Sequence, residues 1–186
     1  MKMNTKTKAE AAKSGKAQRE LFDIMASSNK IDKILTLLTT QKGIPIDKVF
    51  KVEHSDECKL EKELGENYIG SYIWIGLTYD GFVVVVAKTK VDLKNRKYGD
   101  LFADYRLWGG SVTPRLIADI VASDDEKVMI KSLVSKVNEY ISKAIIIIPK
   151  KENDQDNTHK LEQKIGNLLL ENNIPILNKN SHNYGH

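Results

Sequence analysis

The sequence predicts an α/β or α+β fold in which a small central sheet with a β-hairpin is flanked by helices. Residues 17–40 place apolar side chains at helical spacings, whereas residues 71–78 and 82–87 are rich in the β-branched and aromatic residues that favour strands. Between these two strands, residues 79–81 (Tyr-Asp-Gly) carry the Asp-Gly signal of a hairpin turn. We therefore expect helices packed on one sheet that contains this hairpin.

Before the hairpin, Gly43 and Pro45 are expected to end the first helical region. Residues 47–53 then predict a short strand, and the acidic, lysine-containing residues 54–66 predict a loop or a charged helix. The second hairpin strand, residues 82–87, is a continuous apolar run. We expect it to lie at the centre of the sheet with both faces covered.

After the hairpin, the chain predicts helices, one more strand and a last helix. Proline should end the strand, and Thr158 is a candidate cap for the last helix. In chain order we expect a short helix over residues 91–105, a helix that opens at Ser111 or Thr113 and runs to about residue 121, and another that a capping box at Ser123 opens and that runs to about residue 141. A buried strand over 144–149, a loop over 150–158, a helix over 158–171 and an extended piece over 174–177 should follow.

Composition excludes several classes of protein. The 186 residues are 41% hydrophobic, yet no apolar run is long enough to span a membrane, and the lysine-rich start lacks the apolar stretch of a signal peptide. A single cysteine, Cys58, excludes an internal disulfide framework and a multi-cysteine metal site. We expect a soluble, cytoplasmic protein without a membrane partner.

The charge is unevenly distributed. The net charge is +4, but residues 1–19 contain six basic groups and one acid, which leaves the remainder at −1. Within that remainder, residues 88–97 hold four lysines and Arg96 against the single acid Asp92. A basic arm and a separate basic cluster indicate a protein that binds a polyanion, such as nucleic acid.

A few side chains have the chemistry to hydrolyse a phosphodiester. Lys88 and Arg96 follow the hairpin, where cations could bind a scissile phosphate and stabilise the charge that develops on it. Glu162, early on the last helix, could hold a divalent metal, and Tyr72 on the first hairpin strand could orient or deprotonate a water. His159 is expected in a polar loop, as a surface residue.

The same stretch resembles the GIY-YIG nucleases over about residues 70–180. Residues 70–72 (Gly-Ser-Tyr) fall at the first motif, with Ser71 where an aliphatic residue is usual. Residues 85–87 (Val-Val-Ala) fall at the second, and residues 88–96 are similar to the segment that leads to the family's arginine. Residues 161–178 resemble the glutamate helix and the terminal asparagine of the family. The chain departs from the pattern at the second motif, where valine and alanine replace the tyrosine and the glycine.

The resemblance implies one-metal hydrolysis of DNA with Mg²⁺. It assigns Tyr72 as the base or water-orienting group, Arg96 as the phosphate ligand and Glu162 as the Mg²⁺ ligand, with Lys88 and Asn178 in support. Residues 1–69 would be a basic arm and a helical N-terminal extension, as in the restriction-endonuclease branch. Residues 70–186 would be the nuclease-like core of one compact domain.

Two alternatives stay open. Residues 80–88 also resemble the hairpin of PD-(D/E)XK nucleases, although Val86 occupies the position where that family has an acid. A non-catalytic DNA-binding protein with a degenerate nuclease fold would retain the basic cluster and lack the chemistry. The position of Glu162 relative to Tyr72, and the pairing direction of the strand at 144–148, would help to separate these hypotheses.

The function that the sequence predicts is therefore a Mg²⁺-dependent, sequence-specific endonuclease of the type II restriction kind that cleaves double-stranded DNA. A cutter of this size must reach both strands, so we expect a homodimer whose two-fold symmetry matches a palindromic site.

Overall fold

The computed structural model describes residues 31–53, 58–79, 81–95, 141–150 and 155–176. The predictions for residues 1–30, for the helices between 96 and 140, and for the site residues Arg96 and Asn178 lie outside these ranges.

Four strands form one antiparallel sheet in the order β1-β4-β2-β3. They span Ile46–Glu53 (β1), Ile69–Leu77 (β2), Val83–Asp92 (β3) and Lys143–Pro149 (β4). β2 and β3 form the predicted hairpin, and β4 lies between β1 and β2, antiparallel to both. The described part is thus an α+β fold, in agreement with the general class that the sequence predicts.

Three α-helices accompany the sheet: α1 (Ile31–Thr40), α2 (Cys58–Leu64) and α3 (Gln155–Glu171). For residues 54–66 the sequence left open a loop or a charged helix, and the described part of this range contains the helix α2. A short 3₁₀ helix, Leu93–Asn95, follows β3. The asparagine pair predicted to end the last helix does so, because Asn173 adopts a left-handed backbone with φ 57° after α3.

The sheet has an apolar core on each face, because successive residues of a strand point to opposite sides. One core contains α1 and α3, and it includes Ile73, Ile75 and Ile145 of the strands. The other contains α2, with Tyr72, Trp74 and Ile146 among its strand residues. We call these the α1/α3 face and the α2 face.

The hairpin turn forms where the sequence predicts it. Gly81 has φ 85°, a value that glycine adopts without strain, and its N–H donates to the Thr78 carbonyl at 3.0 Å. The Thr78 N–H donates to the Phe82 carbonyl at 2.9 Å, and the Thr78 hydroxyl accepts from the Phe82 N–H at 3.1 Å. These bonds close the loop between β2 and β3.

Three sequence predictions need correction. The second hairpin strand is an edge strand among the four described and not a central one, although Val83–Val86 are buried. β2 and β4 occupy the central positions, because β4 pairs with the edge of β2 that does not pair with β3. β3 also continues to Asp92, where the sequence predicts a helix from residue 91. Finally, α3 begins at Gln155, so Thr158 lies buried within the helix instead of capping it.

Elements from before and after residue 70 share this sheet. β1 pairs with β4 from Ile46 to Glu53, and α1 packs in the same core as α3. Among the helices of the described ranges, none has the length and apolar character needed to cross a membrane.

Candidate functional site

Tyr72 and Glu162, the proposed base and metal ligand, lie on opposite faces of the sheet. Tyr72 is fully buried on the α2 face, where its neighbour Trp74 donates from Nε1 to the Thr89 hydroxyl at 3.1 Å. Glu162 belongs to α3, which packs on the other face. The structure therefore does not bring these two residues together, and a role for Tyr72 in activating water at Glu162 has no geometric support.

Glu162 is the one charged side chain that is buried among the residues the structure describes, with 5% of its surface exposed. Its Oε2 lies 3.1 Å from Nδ1 of His159, one helical turn earlier on α3. His159 in turn has Nε2 at 3.4 Å from the Gln163 amide nitrogen. A neutral imidazole with the proton on Nδ1 satisfies both contacts, since Nδ1–H donates to the carboxylate and Nε2 accepts from the amide.

A buried carboxylate is costly unless it is paired or bound to a cation, because burial removes its water shell. His159 is its hydrogen-bond partner within the described chain, and that ring is 47% exposed. We therefore take Glu162 and His159 as the centre of the candidate site.

Lys88 lies on the same face of the sheet as Glu162. In the hairpin register Lys88 pairs with Ile73, and paired residues of an antiparallel ladder share a face. Ile73 packs in the core that contains Leu161 and Ile165 of α3, on either side of Glu162 in sequence. Lys90, two residues farther along β3, has the same orientation as Lys88, and both side chains are exposed.

Lysines are concentrated at one end of the sheet. At this end β1 and β2 begin, at Ile46 and Ile69, while β3 and β4 finish, at Asp92 and Pro149. The first half of α3 lies at the same end, because Thr158 and Leu161 line a cleft with Pro45 and Pro149. We call this the lysine end of the sheet; its exposed lysines include Lys48, Lys90, Lys94, Lys150, Lys160 and Lys164.

The residues of this site fit one mode of metal binding. The described ranges contain no group of three or more His, Cys, Asp and Glu side chains that could cage an ion. Glu162 supplies one carboxylate. Mg²⁺ keeps several waters and is often held by one or two carboxylates together with phosphate oxygens of the substrate. A single carboxylate is compatible with that mode of binding, and it is too few ligands for a site made of protein groups alone.

The sequence predicted Glu162 and Lys88 as site residues but did not single out His159. The missing signal is the spacing His159-x-x-Glu162, which places both side chains on one helix face when the helix begins before residue 159. Assigning residues 150–158 to a loop placed His159 at the helix boundary and hid this pair. Arg96 and Asn178 lie outside the described residues.

Comparison with known proteins adds no further information on the site. No protein-family model matches the chain, and neither a curated protein nor a solved structure matches it.

Proposed function

We propose that this protein is a metal-dependent nuclease that hydrolyses phosphodiester bonds of double-stranded DNA. The observation that carries the proposal is the buried carboxylate of Glu162, held by His159 on the face of the sheet that also presents Lys88. Metal-dependent hydrolysis of a phosphodiester uses a carboxylate to hold the metal ion and cationic groups to neutralise the phosphate, and these residue types share one face here.

Each residue has a distinct role in the proposed reaction. Glu162 holds the ion, and His159 is a positioning residue because its hydrogen bond fixes the carboxylate. Lys88 binds the phosphate and stabilises the negative charge that develops on its oxygens in the transition state. Mg²⁺, when bound, would neutralise phosphate charge and make a coordinated water more acidic.

The specific form that we propose is the restriction type suggested by the resemblance to GIY-YIG nucleases. In that form the chain acts as a homodimer on a palindromic sequence, because each protomer then cleaves one strand. Arg96 and Asn178 would add a phosphate ligand and a supporting amide. The buried position of Tyr72 on the α2 face does not favour it as the base, so the proposal does not depend on that residue.

The test is cleavage of supercoiled plasmid DNA in the presence of Mg²⁺, compared with the same reaction in EDTA. We expect Glu162→Gln to reduce the cleavage rate by at least about 10²-fold, because an amide is a poor ligand for Mg²⁺. Lys88→Ala should reduce the rate by about 10²-fold. Lys62→Ala, on the exposed side of α2, is the matched control and should leave the rate unchanged.

Two results would contradict the proposal. One is metal-dependent cleavage that survives Glu162→Gln in a folded variant, because the ion would then be held elsewhere. The other is tight DNA binding by the unmodified chain without any cleavage in Mg²⁺. This second result would favour the non-catalytic DNA-binding alternative.

A further inference from the structure

A separate cleft opens at the lysine end of the sheet. Its volume is about 350 Å³, and it lies between α3 and the chain segments that precede β1 and follow β4. The backbone N–H of Lys150 donates to the Pro45 carbonyl at 2.9 Å, which joins those two segments. The lining residues are Gly43, Pro45, Pro149, Lys150, Thr158, Lys160, Leu161 and Lys164.

The charge of the lining has one sign. Three of the eight residues are lysines, and none is acidic. Within the part of the chain that the structure describes, none of the three lysines forms an ion pair. Lys160 and Lys164 are also four residues apart on α3, a spacing at which like charges repel and destabilise a helix. An anion between them would remove this repulsion.

The remaining lining adds an apolar and a polar component. Leu161 and Thr158, both buried, line the cleft together with Pro45 and Pro149. A volume of about 350 Å³ exceeds what a lone inorganic ion needs and lies within the range of sites for small organic ligands. The combination suits a phosphate attached to a carbon skeleton, with the phosphate near the lysines and the skeleton against proline and leucine.

We propose that this cleft binds a backbone phosphate and the adjoining sugar of a nucleic acid strand, outside the site of hydrolysis. The identity of the partner as nucleic acid rests on the proposed function. Geometry supports a second contact to the same partner, because α3, which lines the cleft, packs on the face of the sheet that also presents Lys88 and Lys90. Contacts of this kind set the position of a protein on a strand without reading its sequence.

The test measures how binding of a fluorescent 30-base-pair duplex depends on salt, in EDTA so that no cleavage occurs. Each lost phosphate contact lowers the slope of log K against log salt concentration by about 0.9. We expect Lys160→Ala/Lys164→Ala to lower this slope by about 1 to 2. The matched control is Lys59→Ala/Lys62→Ala on α2, which removes the same charge on the opposite face of the sheet and should change the slope by less than about 0.3.

The outcomes separate this inference from its alternatives. Equal losses of slope in both double variants would overturn it, because binding would then follow net charge alone. An unchanged slope in the cleft variant would overturn it as well. Inorganic phosphate should compete only weakly with the duplex for the cleft. If it competed as strongly as a short oligonucleotide, the cleft would be a site for a small anion instead.

The same measurement is independent of catalysis. If the unmodified chain binds DNA with the expected slopes but cleaves none in Mg²⁺, the proposed nuclease function fails while the phosphate cleft stands. If cleavage is lost in Glu162→Gln and the cleft variant keeps its salt slope, the nuclease function stands and the cleft inference fails.

Discussion

At the scale of single residues, the burial of Glu162 costs the fold free energy, whereas its carboxylate serves the proposed chemistry. Its carboxylate is 5% exposed and is paired with a histidine that is itself half exposed. Such a group contributes little to folding, because the penalty for removing it from water offsets what its one hydrogen bond gains. A residue kept for chemistry and not for stability should therefore be replaceable without loss of stability.

We predict that Glu162→Met keeps or raises the free energy of unfolding while it abolishes cleavage. Methionine fills a similar volume and removes the desolvation penalty of the carboxylate. By contrast, His159→Ala leaves the buried carboxylate without this donor and should cost about 1 to 3 kcal/mol. Urea unfolding of both variants measures the effect. A loss of more than about 2 kcal/mol in Glu162→Met would identify Glu162 as a structural residue instead.

Gly65, which ends α2, gives a second residue-scale prediction. Its φ is 88°, its N–H donates to the Glu61 carbonyl at 2.8 Å, and a Cβ added there would touch nothing within 4 Å. A side chain at this position would therefore change the stability only through the strain of the left-handed backbone. Gly65→Ala should cost about 1 kcal/mol and Gly65→Asn clearly less, because asparagine tolerates the left-handed region. Equal thermal unfolding of the two variants would contradict this account.

At the scale of elements, a pH-sensitive ion pair joins β1 to α2. The ammonium of Lys48 bonds to the carboxylate of Glu63 and also donates to the Glu63 carbonyl at 3.2 Å. The hydrogen bond and the positive charge of Lys48 hold the pKa of Glu63 below its usual value of 4.5. Because the pKa of Glu63 is lower in the folded chain than in the unfolded chain, its ionised carboxylate stabilises the fold at any pH above the unfolded-state pKa. This contribution is lost as the pH falls through the folded-state pKa.

We predict that Lys48→Met raises the pKa of Glu63 towards its usual value. The part of the fall in stability on acidification that comes from this pair should then disappear. An NMR titration of the Glu63 side chain measures the shift, and Lys62→Met serves as a control that removes a lysine from the same helix but leaves Lys48 in place. An unchanged pKa of Glu63 in Lys48→Met would show that the pair is not formed in solution.

Elements whose patterns are local could be predicted from the sequence, and their arrangement could not. The hairpin, β1, β4 and the end of α3 follow from β-branched runs, an Asp-Gly turn and an asparagine pair. The edge position of β3 was not predicted, because a continuous apolar run indicates only that a strand is buried. Val83–Val86 of β3 are buried although the strand lies at the edge of the four described. One contribution comes from Ile176, which bridges to Val83.

The candidate site shows the same division. Glu162 and Lys88 could be selected from the sequence by charge and position. Side chains alternate between the two faces along β2, so Tyr72 and Ile73 point to opposite faces. A shift of one residue would therefore decide whether Tyr72 lies on the same face as Glu162 and Lys88. The sequence spacing alone does not show which of the two residues faces Glu162, because that depends on which helix packs on each face of the sheet.

At the scale of the whole molecule, the net charge of +4 separates into regions. The described fold gathers six exposed lysines at the lysine end of the sheet, and the sequence adds a basic arm at residues 1–19. We predict that deleting residues 1–19 lowers the salt slope of DNA binding but leaves it clearly above zero, because the lysine end still contacts phosphates. A slope that falls to zero would assign all DNA binding to the arm.

The most direct test of the central claim is the initial rate at which the unmodified chain converts supercoiled plasmid to cut product, measured with Mg²⁺ and again with excess EDTA. The proposed function predicts cutting that requires the ion, returns when Mg²⁺ is restored after EDTA, and is lost in Glu162→Gln with its fold intact. Cutting that continues in EDTA, or no cutting by protein that binds the same plasmid, would contradict it.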